Sequence, residues 1–192
     1  MAVRYSDEVK SLLQRYIDSM AEERQKLKQA LQSISANNRY SLLMEVRGVK
    51  WSANTGLHLA ARQNDLEMIK HMMLDFTTDQ VYCVVSIETP TQGTSLHYAA
   101  CNGHNDVIRY LLDRVPQQHM FESIGLEKAN GNTALHDAAI NKHKETVQLI
   151  LSYLTPTEQL QLWSVRNEDN KSVAEMLPET YPPYPGLSSF QV

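Results

Sequence analysis

The chain has 192 residues, a formal charge of −4 at pH 7 and a pI near 6.0. Hydrophobic residues make up 42% and charged ones 21%, the balance of a chain that buries a core rather than one that stays unfolded. The mild acidity excludes a phosphate-neutralising surface, so no nucleic-acid partner is expected. No apolar run reaches the roughly 18 residues of a membrane helix, and Met1-Ala2-Val3-Arg4-Tyr5-Ser6 lacks the apolar core of a secretory signal. Cys83 and Cys101 fall in no metal or redox spacing, and two isolated thiols fit a reducing compartment. These readings set the expectation of a soluble cytoplasmic protein.

In chain order, residues 6–34 carry a helical stripe of Val9, Leu13, Tyr16, Met20, Leu27, Leu31 and Ile34, with Leu12 and Ile17 beside it. The segment reads as part of an N-terminal helical cap (1–40), in which Leu27, Ala30, Leu31 and Ile34 imitate a stripe that recurs downstream. It also reads as a coiled-coil partner helix with heptads through Val9, Tyr16 and Ala30, a seam that Glu23 interrupts.

Thr55-Gly56-Leu57-His58-Leu59-Ala60-Ala61 then opens a ladder. It returns after 39 residues as Thr94-Ser95-Leu96-His97-Tyr98-Ala99-Ala100, and again as Thr133-Ala134-Leu135-His136-Asp137-Ala138-Ala139. Ser172-Val173-Ala174-Glu175 is a worn fourth copy. A fixed period in this range means a stacked solenoid. In the third copy Asn130-Gly131-Asn132 supplies turn chemistry and Thr133 an N-cap. A short helix follows, whose paired alanines permit close helix approach. A second helix from about Lys144 to Tyr153 carries Val147, Ile150, Leu151 and Leu154 on one face. Ile108, Leu111, Leu112 and Val115 repeat that stripe in the second copy, and Ile69, Met72, Met73 and Phe76 in the first. The connectors are periodic as well: Leu43, Tyr82, Phe121 and Leu160 form one apolar column, and Val46, Val85, Ile124 and Trp163 another. With the helix-start signals Thr77-Thr78-Asp79-Gln80 and Thr155-Pro156-Thr157-Glu158, they predict a third short helix in each connector. At the end, Tyr181-Pro182-Pro183-Tyr184-Pro185-Gly186 excludes helix and predicts an extended tail over 181–192.

The segments Thr55–Ala61, Thr94–His104 and Thr133–His143 resemble the ankyrin-repeat motif, turn-Thr-Pro-Leu-His-x-Ala-Ala-x-x-Gly-His. The resemblance implies an all-α, ankyrin-like helical solenoid over 41–180. It would hold about three full repeats (cores near 54–76, 93–115 and 132–154, degenerate at 171–180), extra short connector helices and helical caps at both ends. The period of 39 exceeds the family's roughly 33 residues. Gly56, Ser95 and Ala134 replace the motif's proline, and only Gly103 keeps its inter-helix glycine, with Asn64 and Lys142 in the other copies. Lys142 should pay most if left-handed geometry is kept.

No catalytic constellation emerges. One-per-repeat His58, His97 and His136 stand a repeat apart, too far to share a metal ion, and the same holds for His104 and His143. No Gly-rich phosphate loop and no nucleophile–base pairing is legible, so no enzyme, cofactor or metal is expected. In ankyrin-like repeats the motif His is structural. The concave face, made of turn tips and the first helices, binds protein or peptide. By position that face would comprise Trp51, Ser52, Asn54, Arg62 and Gln63 in the first repeat. The second adds Pro90, Thr91, Tyr98, Cys101 and Asn102, and the third adds Ala129, Asn130, Asn132, Asp137, Ile140 and Asn141. Trp51, Arg62 and Tyr98 are of the types that dominate interface energetics. The resulting expectation is a monomeric, non-enzymatic scaffold or adaptor. Long-period arrays of this kind are also similar to host-directed effectors of host-associated bacteria. The alternative is a structural protein that self-assembles through the N-terminal helix.

Overall fold

A computed structural model describes residues 21–45, 56–89 and 93–177. Helices α1 (Ala21–Gln32) and α2 (Ala36–Glu45) precede two three-helix units: α3 (Gly56–Arg62), α4 (Leu66–Met72) and α5 (Thr78–Val85), then α6 (Ser95–Cys101), α7 (Asn105–Leu112) and α8 (Met120–Gly125). A third unit comprises α9 (Ala134–Ile140), α10 (Lys144–Leu151) and α11 (Pro156–Ser164), and α12 (Val173–Met176) follows it. The first helices α3, α6, α9 and α12 pack side by side as an inner row, and α1, α4, α7 and α10 as an outer row.

Residue size explains the two rows. Ala60, Ala61, Ala99, Ala100, Ala138 and Ala139 are all buried, small side chains that let the inner helices pack closely. The outer row fills the remaining space with Ile69, Met72, Met73, Ile108, Leu111, Leu112, Val147, Ile150 and Leu151. Burying each such side chain contributes about 1.5–3 kcal/mol. Leu27 and Leu31 do the same from α1, which packs on α4, with Ala30 and Ile34 partly buried beside them. Residues 6–20 of the N-terminal stripe, and the tail 181–192, lie outside the described residues.

The connectors do form helices, and capping boxes start two of them. Thr77 Oγ1 accepts from Gln80 N at 3.3 Å while Gln80 Oε1 accepts from Thr77 N at 3.1 Å. Thr155 and Glu158 repeat the exchange at 3.4 and 2.8 Å. Their buried face matches the expected one in part: Leu43, Val85 and Ile124 are buried, and Val46 lies outside the described residues. Tyr82, Phe121, Leu160 and Trp163 are only half-buried, whereas Leu42, Val81 and Met120 are buried along with Val84, Ser123 and Leu162. Helical spacing puts 81, 84 and 85 on one face, and 82 falls at its margin.

The turn between first and second helices is left-handed in every repeat: φ is 59° at Asn64, 69° at Gly103 and 61° at Lys142. Gly103 has a second reason to be glycine, since a Cβ there would lie 2.8 Å from His143 Nδ1. The outer helices end on carbonyls that long side chains satisfy. Arg39, itself 3% exposed, donates to Leu31 O at 2.9 Å and also to Ile34 O and Leu74 O. Arg114 reaches Met73 O at 3.3 Å, and Gln159 donates to Leu151 O and Leu154 O at 2.9 and 3.0 Å.

Candidate functional site

The face that could meet a partner is held from behind by histidines. In the second and third repeats the threonine N-cap donates both its N–H and its hydroxyl to the motif histidine. Thr94 N and Oγ1 lie 3.2 and 2.9 Å from His97 Nδ1, and Thr133 N and Oγ1 the same distances from His136 Nδ1. With Nδ1 accepting, Nε2 carries the proton and donates onward. His58 reaches Ile87 O at 2.9 Å, His97 reaches Asn132 O at 3.1 Å and His136 reaches Val165 O at 3.1 Å. Each ring thus ties its own helix to the connector that leads into the next repeat. Burial pushes the His58 and His97 imidazoles down to about 4 and lowers that of His136. His104 and His143 tie backwards, donating to Arg62 O and Cys101 O at 3.0 and 3.2 Å. Both nitrogens of the His97 and His136 rings are committed to the scaffold.

Hairpin-like fingers lead into α6, α9 and α12. Thr89 N donates to Gly93 O at 3.0 Å, Lys128 N to Asn132 O at 2.8 Å and Asn167 N to Lys171 O at 3.1 Å, the same closure in each unit. Neighbouring fingers are stitched together, with Glu168 N on Asn130 O at 3.1 Å and Asn167 Nδ2 on Asn132 Oδ1 at 2.8 Å. Gly131, at φ 72°, permits that stitch, because a Cβ would sit 3.0 Å from Asn167 Cα and Glu168 N.

Trp51, Ser52, Asn54, Pro90 and Thr91 lie outside the described residues. Arg62 and Gln63 are exposed at the end of α3, as are Asn102 after α6 and Ile140 and Asn141 at the end of α9; Cys101 is half-buried between them. Asn141 Nδ2 donates to Asp137 O at 2.8 Å and lies 3.4 Å from Cys101 Sγ, so the second and third repeats meet at this edge. Tyr98 is half-buried, its ring edge-on to His58 at 5.7 Å. Asn130 is exposed at a finger tip, beside exposed Ala129.

Two residues expected on the surface are inside it. Asn132 and Asp137 are each 4% exposed. Asp137 Oδ1 takes the Lys128 ammonium at 2.8 Å and the Asn132 amide at 3.4 Å, and burial still raises its carboxyl above the ordinary range. They are scaffold, and Lys128, missing from the expected set, is the group that shields them.

Sequence comparison decides the family. The model for ankyrin repeats (3 copies) matches residues 1–113 and 57–159. The chain belongs to the ankyrin-repeat family. No curated protein matches this ankyrin array in sequence. A chain in the crystal structure of the yeast ribosomal protein Rps3 in complex with its chaperone Yar1 is similar in fold, with a TM-score of 0.53 at 21% identity. The match covers 74% of this ankyrin array and 85% of that chain. Ankyrin repeats are in general a non-enzymatic protein-interaction fold.

Proposed function

We propose that the ends of α3, α6 and α9, together with the finger tips, bind a partner protein or an extended peptide without catalysing a reaction. One observation carries the reading: Arg62, Gln63, Asn102, Ile140 and Asn141 stand exposed in adjacent rows on a backing whose histidines and threonines are spent internally. Ile140 keeps 48% of its surface in water, an aliphatic anchor that burial would favour. Asn102 and Asn141 already donate to Tyr98 O and Asp137 O at 2.8 Å, which leaves their amide oxygens to accept from a partner. Arg62 offers a fork for a carboxylate, and Tyr98 a half-open ring. The similar fold found in a chaperone complex supports a protein as the partner class. On this reading the molecule is a monomeric cytoplasmic adaptor or scaffold, consistent with two free thiols.

Affinity capture with mass spectrometry tests it, comparing wild type with Arg62→Ala/Ile140→Ser and with Leu74→Ser, the other exposed large aliphatic among the described residues. The double variant, folded by circular dichroism, is expected to weaken capture of a specific partner by about 2 kcal/mol or more, while Leu74→Ser leaves it intact. Equal capture by wild type and the double variant would overturn the proposal.

A further inference from the structure

The chain contains two Asn-Gly pairs, Asn102-Gly103 and Asn130-Gly131, and both asparagines lie on the face assigned above to a partner. In such pairs the glycine nitrogen, unshielded by any side chain, can attack the asparagine side-chain carbonyl. The structure treats the two pairs differently. Asn102 caps α6 with φ −105° and ψ 2°, its leaving amide bound to Tyr98 O at 2.8 Å. Gly103 N donates to Ala100 O at 3.2 Å, and the His143 ring closes over Gly103. At the exposed tip, Asn130 carries its activation with it: the backbone N–H of Asn132 donates to Asn130 Oδ1 at 3.2 Å. That bond polarises the Cγ carbonyl and stabilises the negative oxygen that forms when it is attacked. The turn bond from Gly131 N to Lys128 O at 2.8 Å and the stitch from Glu168 N to Asn130 O at 3.1 Å must open to free the nucleophile, and no side chain closes over it.

We infer that Asn130 is a site of spontaneous deamidation, with Asn132 N–H as its electrophilic activator, and that the fold protects Asn102. The site inference needs only the finger geometry; its consequence for binding rests on the partner-face reading. The Gly131 amide nitrogen gives its proton to hydroxide and bonds to Asn130 Cγ, moving the C=O electron pair onto Oδ1. Collapse of that oxyanion breaks the Cγ–Nδ2 bond, and ammonia leaves after taking a proton from water. Water then opens the succinimide ring at either carbonyl, leaving aspartate or β-linked aspartate at position 130. The new carboxylate sits on a finger beside Glu168, whose N–H is bound to Asn130 O. The β-linked product lengthens the main chain there and disrupts the stitch between the fingers that lead into α9 and α12.

The experiment ages folded wild-type protein at mildly alkaline pH and maps both sites by peptide mass spectrometry. The same protein in urea serves as the structureless reference. Both pairs should convert at similar rates in urea, while in the folded protein Asn130 outpaces Asn102 by about tenfold. Equal folded rates, faster conversion at Asn102, or an Asn130 that stays intact would each overturn the assignment. Because the readout is chemical and not a capture experiment, a failed partner search leaves it standing, and its own failure leaves the partner face untouched.

Discussion

At the residue scale, the left-handed turn column makes the sharpest contrast. Lys142 holds φ at 61°, where a side chain with a Cβ is disfavoured by about 1–2 kcal/mol, and Gly103 holds the equivalent position without that cost. Lys142→Gly is therefore expected to raise the urea midpoint, by about 1 kcal/mol in stability. Gly103→Ala should lower it by more than that, because the added methyl meets His143 as well as the forbidden φ. The turn itself was legible, because Gly103, Asn64 and Lys142 share one register. The burial of Asn132 and Asp137 was not. Asp137 stands where the other repeats have Leu59 and Tyr98, and the ammonium that draws it inward belongs to a separate finger nine residues earlier. Nothing local to position 137 announces that partner.

Among elements, Arg39 reinforces the packing of α1 and α2 on the array, its guanidinium gathering carbonyls from the ends of α1 and α4. Arg39→Ala leaves one buried and two part-buried carbonyls without this donor and should cost about 2–3 kcal/mol. The loss should appear in hydrogen exchange first across residues 21–45. An Arg39→Lys variant is expected to recover only part of it, since one ammonium cannot span three carbonyls. The connector helices show how far periodicity reaches at this scale. Their existence follows from Thr77-x-x-Gln80 and Thr155-x-x-Glu158, and Leu43, Val85 and Ile124 of the expected columns are buried, yet Tyr82, Phe121 and Leu160 lie at the margin of the buried face. Ser123 and Gln159 interrupt the columns through Val84 and Val81, so their apolar period is broken while that of Tyr82, Phe121 and Leu160 is not.

For the whole molecule, the neutral histidines set an acid limit. The unfolded chain binds protons at these sites from about pH 6.5 downward, whereas His58 and His97 in the fold resist until about 4. Protons therefore favour the unfolded chain throughout that interval, so stability falls as pH drops through it and levels off below. Each of the two buried rings accounts for roughly 3 kcal/mol at the acid end, and His136 adds loss in the same direction. Asp137, raised by burial, acts in the opposite sense above the ordinary carboxylate value, one group against three. Urea midpoints measured from pH 7 to 4 should decline steadily, and a flat profile would contradict the buried neutral tautomers.

The fourth copy gives the chain of histidine bonds an end. Ser172 N donates to Glu175 Oε2 at 3.1 Å, as Thr94 and Thr133 donate to their histidines, but a carboxylate has no proton to hand forward. Glu175 instead turns back on Arg166, at 3.1 and 2.8 Å. The repeats are thus a directional polymer whose interior units both receive and pass on a proton-bearing link, while this one only receives. Duplicating residues 94–132 in place should carry this link through the longer array, because His97 of each copy would reach the same finger carbonyl at Asn132.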